Sequence, residues 1–133
     1  MLAGLNTKYV RFFFKKKLSI LENNPQNRGI VLKVRIITPK KPNSARRPAV
    51  KVAFFNKTVK SAHIPGIGHN LRKHSLILVR CGRVRDLPGI YLKCIRGTLD
   101  LIAVLNRKTR RSIFGVARPE NLVIKIRRKF RQH

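Results

Sequence analysis

A chain of 133 residues with 43% apolar side chains is long enough for one compact core and too short for two comfortable ones. Its 32 Lys and Arg against 4 Asp and Glu leave a formal charge of +28, which repels itself in a compact state and calls for a densely anionic partner such as nucleic acid. A membrane surface would require a long basic amphipathic helix or an anchor, and the apolar stretches run only a few residues, so no membrane span is expected. The four carboxylates, Glu22, Asp86, Asp100 and Glu120, are scattered, leaving no pair close in sequence for acid–base work or for Mg²⁺.

In chain order, residues 1–28 set Lys8, Arg11, Lys15, Lys16 and Lys17 around Phe12, Phe13 and Phe14, with no acid before Glu22. That composition suits either an organelle import signal or a retained arm embedded in RNA, and the arm is the preferred reading. From Gly29 the pattern turns to period two. Ile30, Leu32, Val34 and Ile36 are expected on one face, with Lys33 and Arg35 on the other among Val31 and Ile37, as in a half-buried strand. Val50, Val52 and Phe54 repeat the alternation, Asn56-Lys57 offers a turn, and Thr58 to Ile64 reads as the returning strand of a hairpin. Pro65 to Asn70 is a loop by its Pro and Gly content, Ser75 to Arg80 a more fully buried strand, and Tyr91 to Arg96 a fifth. Two irregular basic loops, 38–48 and 81–89, lie between these segments.

Five short strands without a long helical period predict an all-β fold, a small closed barrel of the oligonucleotide-binding type over residues 29–97. An extended basic arm precedes it (1–28) and an irregular basic extension follows it (98–133), in which Leu122, Val123, Ile124 and Ile126 could form a short strand or helix turn.

The candidate motifs divide into bland and specific ones. Gly66-Ile67-Gly68 has no third glycine and no helix after it, so it reads as a turn and not a dinucleotide loop. His69 and His74 have no carboxylate or cysteine company, and Cys81 and Cys94 have no CxxC spacing, so no metal or other cofactor is expected and the cysteines read as free thiols or small buried residues. Lysine and arginine, by contrast, occupy the polar side of strands and both long loops. One solvated face cannot account for that, whereas RNA phosphates approaching from many directions can. The few aromatics, Phe54, Phe55 and Phe130 among them, are expected in apolar settings, so an exposed stacking platform is not the main binding mode. In the first loop, Pro39 and Pro42 fix their own φ and push Thr38 and Lys41 toward extended geometry, predicting an ordered finger that projects its lysines.

Asn24-Pro25-Gln26-Asn27-Arg28-Gly29, followed by Thr38-Pro39-Lys40-Lys41-Pro42-Asn43-Ser44-Ala45, resembles the signature of the ribosomal small-subunit protein twelve family. Further segments match in order and spacing: Ile64-Pro65-Gly66-Ile67-Gly68-His69-Asn70-Leu71, His74-Ser75, Gly82-Arg83-Val84-Arg85-Asp86-Leu87-Pro88-Gly89, Arg96-Gly97-Thr98-Leu99-Asp100 and Gly115-Val116-Ala117-Arg118-Pro119. The resemblance covers about residues 24–119 and implies a non-enzymatic structural protein, an oligonucleotide-binding barrel seated on small-subunit rRNA where codon and anticodon meet. It implies that Lys40, Lys41, Pro42, Asn43, Ser44, Arg46 and Arg47 belong to the loop that reaches the decoding site. Arg83, Arg85, Asp86 and Pro88 would form its companion, and His74 would lie toward the elongation factor surface. The implied partners are small-subunit rRNA, neighbouring ribosomal proteins and the mRNA–tRNA complex.

Departures from the family pattern mostly add charge. Arg46 stands where Leu is usual, Pro48 where Lys is usual, Arg72-Lys73 where a Gln-Glu pair is usual, and Arg85 in place of a Lys. Drift in peripheral segments around intact loops points to an organellar ribosome, mitochondrial rather than plastid, with bacterial cytoplasm as the other setting. The rival from another class is a free-standing nucleic-acid-binding or RNA-chaperone module, which would be marked by aromatic pairs on adjacent strands; none is evident.

Overall fold

The computed structural model describes residues 21–22 and 24–119, and within them five strands close a barrel. These are β1 (Gln26–Ile37), β2 (Arg47–Phe54), β3 (Val59–His63), β4 (Leu76–Cys81) and β5 (Leu92–Cys94), hydrogen-bonded in the order β1-β2-β3-β5-β4. Every pairing is antiparallel except β3 with β5. The all-β oligonucleotide-binding barrel read from the strand pattern is the fold observed. The segments 1–20 and 120–133, and with them the basic arm up to Ile20, Leu122 to Ile126 and Phe130, lie outside the described residues.

Barrel closure depends on β1, which begins three residues before the predicted alternation and serves two neighbours. Residues 26–30 pair with β4, and residues 29–37 pair with β2. Gly29 sits where the two pairings overlap, and a Cβ there would collide with Val52 Cγ1; a strand glycine marks this kind of close approach.

Just beyond it, the register slips between Val31, opposite Val52, and Lys33, opposite Lys51. This β-bulge changes which parity faces inward. Val31 is fully buried before it and Val34 packs on the core after it, whereas Ile30 is 43% and Ile36 71% exposed. The face expected from Ile30, Leu32, Val34 and Ile36 is therefore corrected: period two holds only along an uninterrupted ladder.

β2 and β3 form the expected hairpin, with Val50, Val52 and Phe54 inward. Its turn is fastened by Asn56 Oδ1, which accepts from the Thr58 backbone N–H at 3.0 Å and the Thr58 hydroxyl at 2.6 Å, while Lys57 takes φ +61°; an Asx side chain supports such a turn. Phe55 is fully exposed there, not apolar in setting as expected, because the residue after inward Phe54 must point outward. β4 is likewise half-buried and not fully buried: Ile77 and Val79 face in, Leu76 and Arg80 out. β5 is shorter than the predicted Tyr91–Arg96, because Arg96 leaves the sheet to make bonds of its own.

Two apolar clusters follow from this register. The first fills the barrel and includes Leu21, Val31, Ile64, Ile77, Leu92 and Leu101, each contributing about 1.5–3 kcal/mol as area removed from water. Cys94 belongs to it, and burial pushes its thiol up to about 12, so it acts as a small apolar residue; Cys81 packs half-buried against the same cluster. The second cluster, Ala49, Leu87 and Ile90 with Ile37 and Val84 beside them, lies on the opposite face of β2, since Ala49 has the opposite parity to Val50 and Val52. It glues the segment between β4 and β5 onto the outside of β1 and β2.

Candidate nucleic-acid interface

The outer cluster brings the two basic loops together. The first leaves β1 after Ile37 and re-enters the sheet at Arg47; the second leaves β4 after Cys81. Leu87 is buried in the outer cluster, which fixes the position of Asp86 beside it. Asp86 then holds the first loop twice. Its backbone carbonyl accepts from the Lys40 N–H at 3.0 Å, and its Oδ2 accepts from Arg47 Nη2 at 2.7 Å. A partly exposed pair of this kind contributes about 1 kcal/mol or less, so its value lies in joining segments that chain entropy would otherwise separate.

Within the first loop, the Asn43 N–H donates to the Lys40 carbonyl at 3.1 Å, the Lys41–Pro42 peptide is cis, and Pro39 is buried. Lys40, Lys41, Pro42, Asn43, Ser44 and Arg46 are all exposed, as are Arg83, Arg85 and Pro88 across from them. Lys40, Arg83, Arg85 and Pro88 line one shared cleft of about 140 Å³.

Because Asp86 neutralises only Arg47, the other cations of both loops face solvent, a geometry suited to phosphate contacts from two sides. His74 is not part of this cluster. Its N–H donates to the Val31 carbonyl at 2.8 Å, six residues back along β1 from Ile37, which is roughly 20 Å at strand rise.

A second arginine organises the other side of the barrel. Arg96 is 3% exposed, and its guanidinium donates to the carbonyls of Pro65 at 2.7 Å, Ile102 at 3.3 Å and Gly68. Desolvation by burial lowers its pKa, yet it has backbone dipoles and no carboxylate to face. Gly97 and Gly115 fold over it with φ +72° and +70°, and a Cβ on Gly115 would press on the Arg96 carbonyl, so both positions require glycine. Asp100 supports the neighbouring turn: its Oδ2 accepts from the Leu76 N–H at 2.7 Å and its carbonyl from Asn70 Nδ2 at 2.7 Å.

Sequence reasoning missed this clasp, because a buried arginine looks like any other among 32 cations. The one available signal was its place directly before Gly97. Gly66 and Gly68, at φ +86° and +65°, make the turn that presents two of the three acceptors, in line with the reading of that segment as a turn.

A family model described as Ribosomal protein S12/S23 matches residues 14–120. The chain belongs to this family. Among curated proteins it is similar to the small ribosomal subunit protein uS12m of Paramecium tetraurelia, 59% identical over 107 residues, which cover 80% of this chain and 77% of that one. It is thus a structural constituent of the small ribosomal subunit, a setting that implies rRNA and ribosomal proteins as partners. The charge of +28 follows from that setting, where RNA supplies the counter-charge. Among the described residues, no helix is long and apolar enough to cross a membrane.

Proposed function

We propose that this chain sits at the decoding centre of the mitochondrial small subunit, where its paired loops contact rRNA beside codon and anticodon and support translational accuracy. The mitochondrial setting follows the relative, whose suffix denotes the mitochondrial protein. The observation that carries the decoding role is Asp86, which ties the Lys40 backbone and the Arg47 side chain to one acidic residue and so presents two cationic loops as a single projection. Preorganisation of this kind lowers the entropy lost on docking to RNA. Lys40, Lys41, Arg46, Arg83 and Arg85 would supply phosphate contacts. Asn43 and Ser44 would meet sugar and phosphate groups by shape and not by base identity. Arg47 braces the projection from its base. His74, on the flank of the barrel, would face the elongation factor, and the cations of the basic segments 1–28 and 98–133 would add contacts to rRNA and neighbouring ribosomal proteins.

The test is misincorporation on mitochondrial ribosomes carrying Lys40→Ala, measured with subunit yield. One phosphate contact among many is lost, so assembly should stay near normal while the ratio of near-cognate to cognate selection shifts. Unchanged accuracy at normal yield would refute the decoding role, and a collapse of yield would make the loop purely architectural.

A further inference from the structure

Away from the two-loop projection, the barrel register assembles a polar row that the decoding role does not use. Gln26 pairs with Arg80, Arg80 with Lys93, and Lys93 with His63, so these four side chains lie side by side across β1, β4, β5 and β3. They form one wall of a cleft of about 430 Å³, within the range of small-molecule sites. The apolar residues Val84, Ile95 and Ile113 line the same cleft, as does Ser112.

Two features separate this cleft from the general basicity of the surface. Arg80 and Lys93 are directly opposite cations on adjacent strands, an arrangement that costs stability unless an anion lies between them, and no acid lines the cleft. The second is Gly82, where a Cβ would stand 3.0 Å from Lys93 Cδ; the missing side chain leaves room for the Lys93 stem to pass over the backbone there.

We infer that this cleft receives a single everted nucleotide of the small-subunit rRNA, its phosphate between Arg80 and Lys93 and its base against Val84 and Ile113. Paired cations alone would fit any phosphate. The apolar residues beside them fit an unstacked base, and Gln26 and Ser112 offer hydrogen-bonding groups for its edge, the manner in which proteins take single-stranded RNA. The inference rests on the small-subunit reading; the site shares Val84 with the second loop, but none of its polar groups, Gln26, His63, Arg80, Lys93 and Ser112, belongs to either loop that carries the decoding proposal.

A photoreactive amino acid at Ile113, which is 54% exposed, tests it in assembled small subunits. Cross-linking should concentrate on one rRNA nucleotide. The double substitution Arg80→Ala with Lys93→Met, which keeps most of the Lys93 stem, should cut that product at least about tenfold, the scale of one lost charge-assisted hydrogen bond. The same nucleotide should gain 2′-hydroxyl reactivity toward acylating reagents in the double variant, while Lys57→Ala on the hairpin turn changes neither. A cross-link to an acidic peptide of a neighbouring protein, to this chain's own residues 120–133, or to nucleotides indifferent to the double substitution would overturn it. Failure of the wild-type chain to sediment with small subunits would instead sink the ribosomal reading.

Discussion

Two regions of the barrel are each held by one arginine, and they are held differently. At the two-loop end, Arg47 is partly exposed and meets a carboxylate. On the other side, Arg96 is buried and meets only backbone carbonyls. An ion pair at the surface can open and close at little cost, since water solvates both partners when they part. A buried guanidinium cannot leave without stranding its acceptors, because an unmade buried bond costs the full desolvation of each group. The loop end is therefore ordered for RNA at small cost to the stability of the barrel, and the Arg96 side holds the fold.

The sharpest way to break this comparison is Arg96→Met, which fills similar space and removes every donor. Three carbonyls lose their partner, and stability should fall by about 3 kcal/mol or more. Thermal or urea unfolding of the purified chain would show it, and subunits would carry little of the variant. A midpoint within a degree or two of wild type would mean that the clasp is dispensable.

Asp86→Asn comes next. The backbone bond from Lys40 N–H to the residue 86 carbonyl survives, while the charge facing Arg47 is lost. The expected stability change is about 1 kcal/mol or less, yet the two loops should become more accessible to protease in the free chain. Comparing unfolding midpoints with cleavage rates at residues 40–46 separates these effects. A loss as large as that of Arg96→Met would erase the distinction between the two regions.

The smallest effect lies where the regions meet. His63 Nδ1 donates to the Pro48 carbonyl at 3.1 Å, next to Arg47. Its pKa is lowered chiefly by burial, with Arg47, Lys93 and Arg96 adding to the shift against the raising effect of the Pro48 bond. The folded chain then binds fewer protons than the unfolded chain just below pH 6.5, so this residue's contribution is present above that value and declines as pH falls through it toward the lowered pKa. Melting temperatures of the free chain should drop slightly more between pH 7 and 5.5 for wild type than for His63→Gln. Equal slopes would remove the residue from the pH response.

The amino-acid sequence by itself determined the partner class, through a charge that only a polyanion can offset, and most of the strands, because alternation and turn residues act within a few positions of the chain. It also located both loops, since proline and glycine punctuate locally. Tertiary structure alone decided the rest. The bulge after Val31, which exchanges Ile30 for Val31 in the core, comes from β1 having to pair with both β2 and β4. The partner of Asp86 is Arg47 at the end of the other loop, 39 positions back in the chain. Arg96 became a buried clasp, and Arg80 was set against Lys93. These depend on strand register or on contacts between segments distant in sequence, which closure of the barrel sets and no local pattern of side chains encodes.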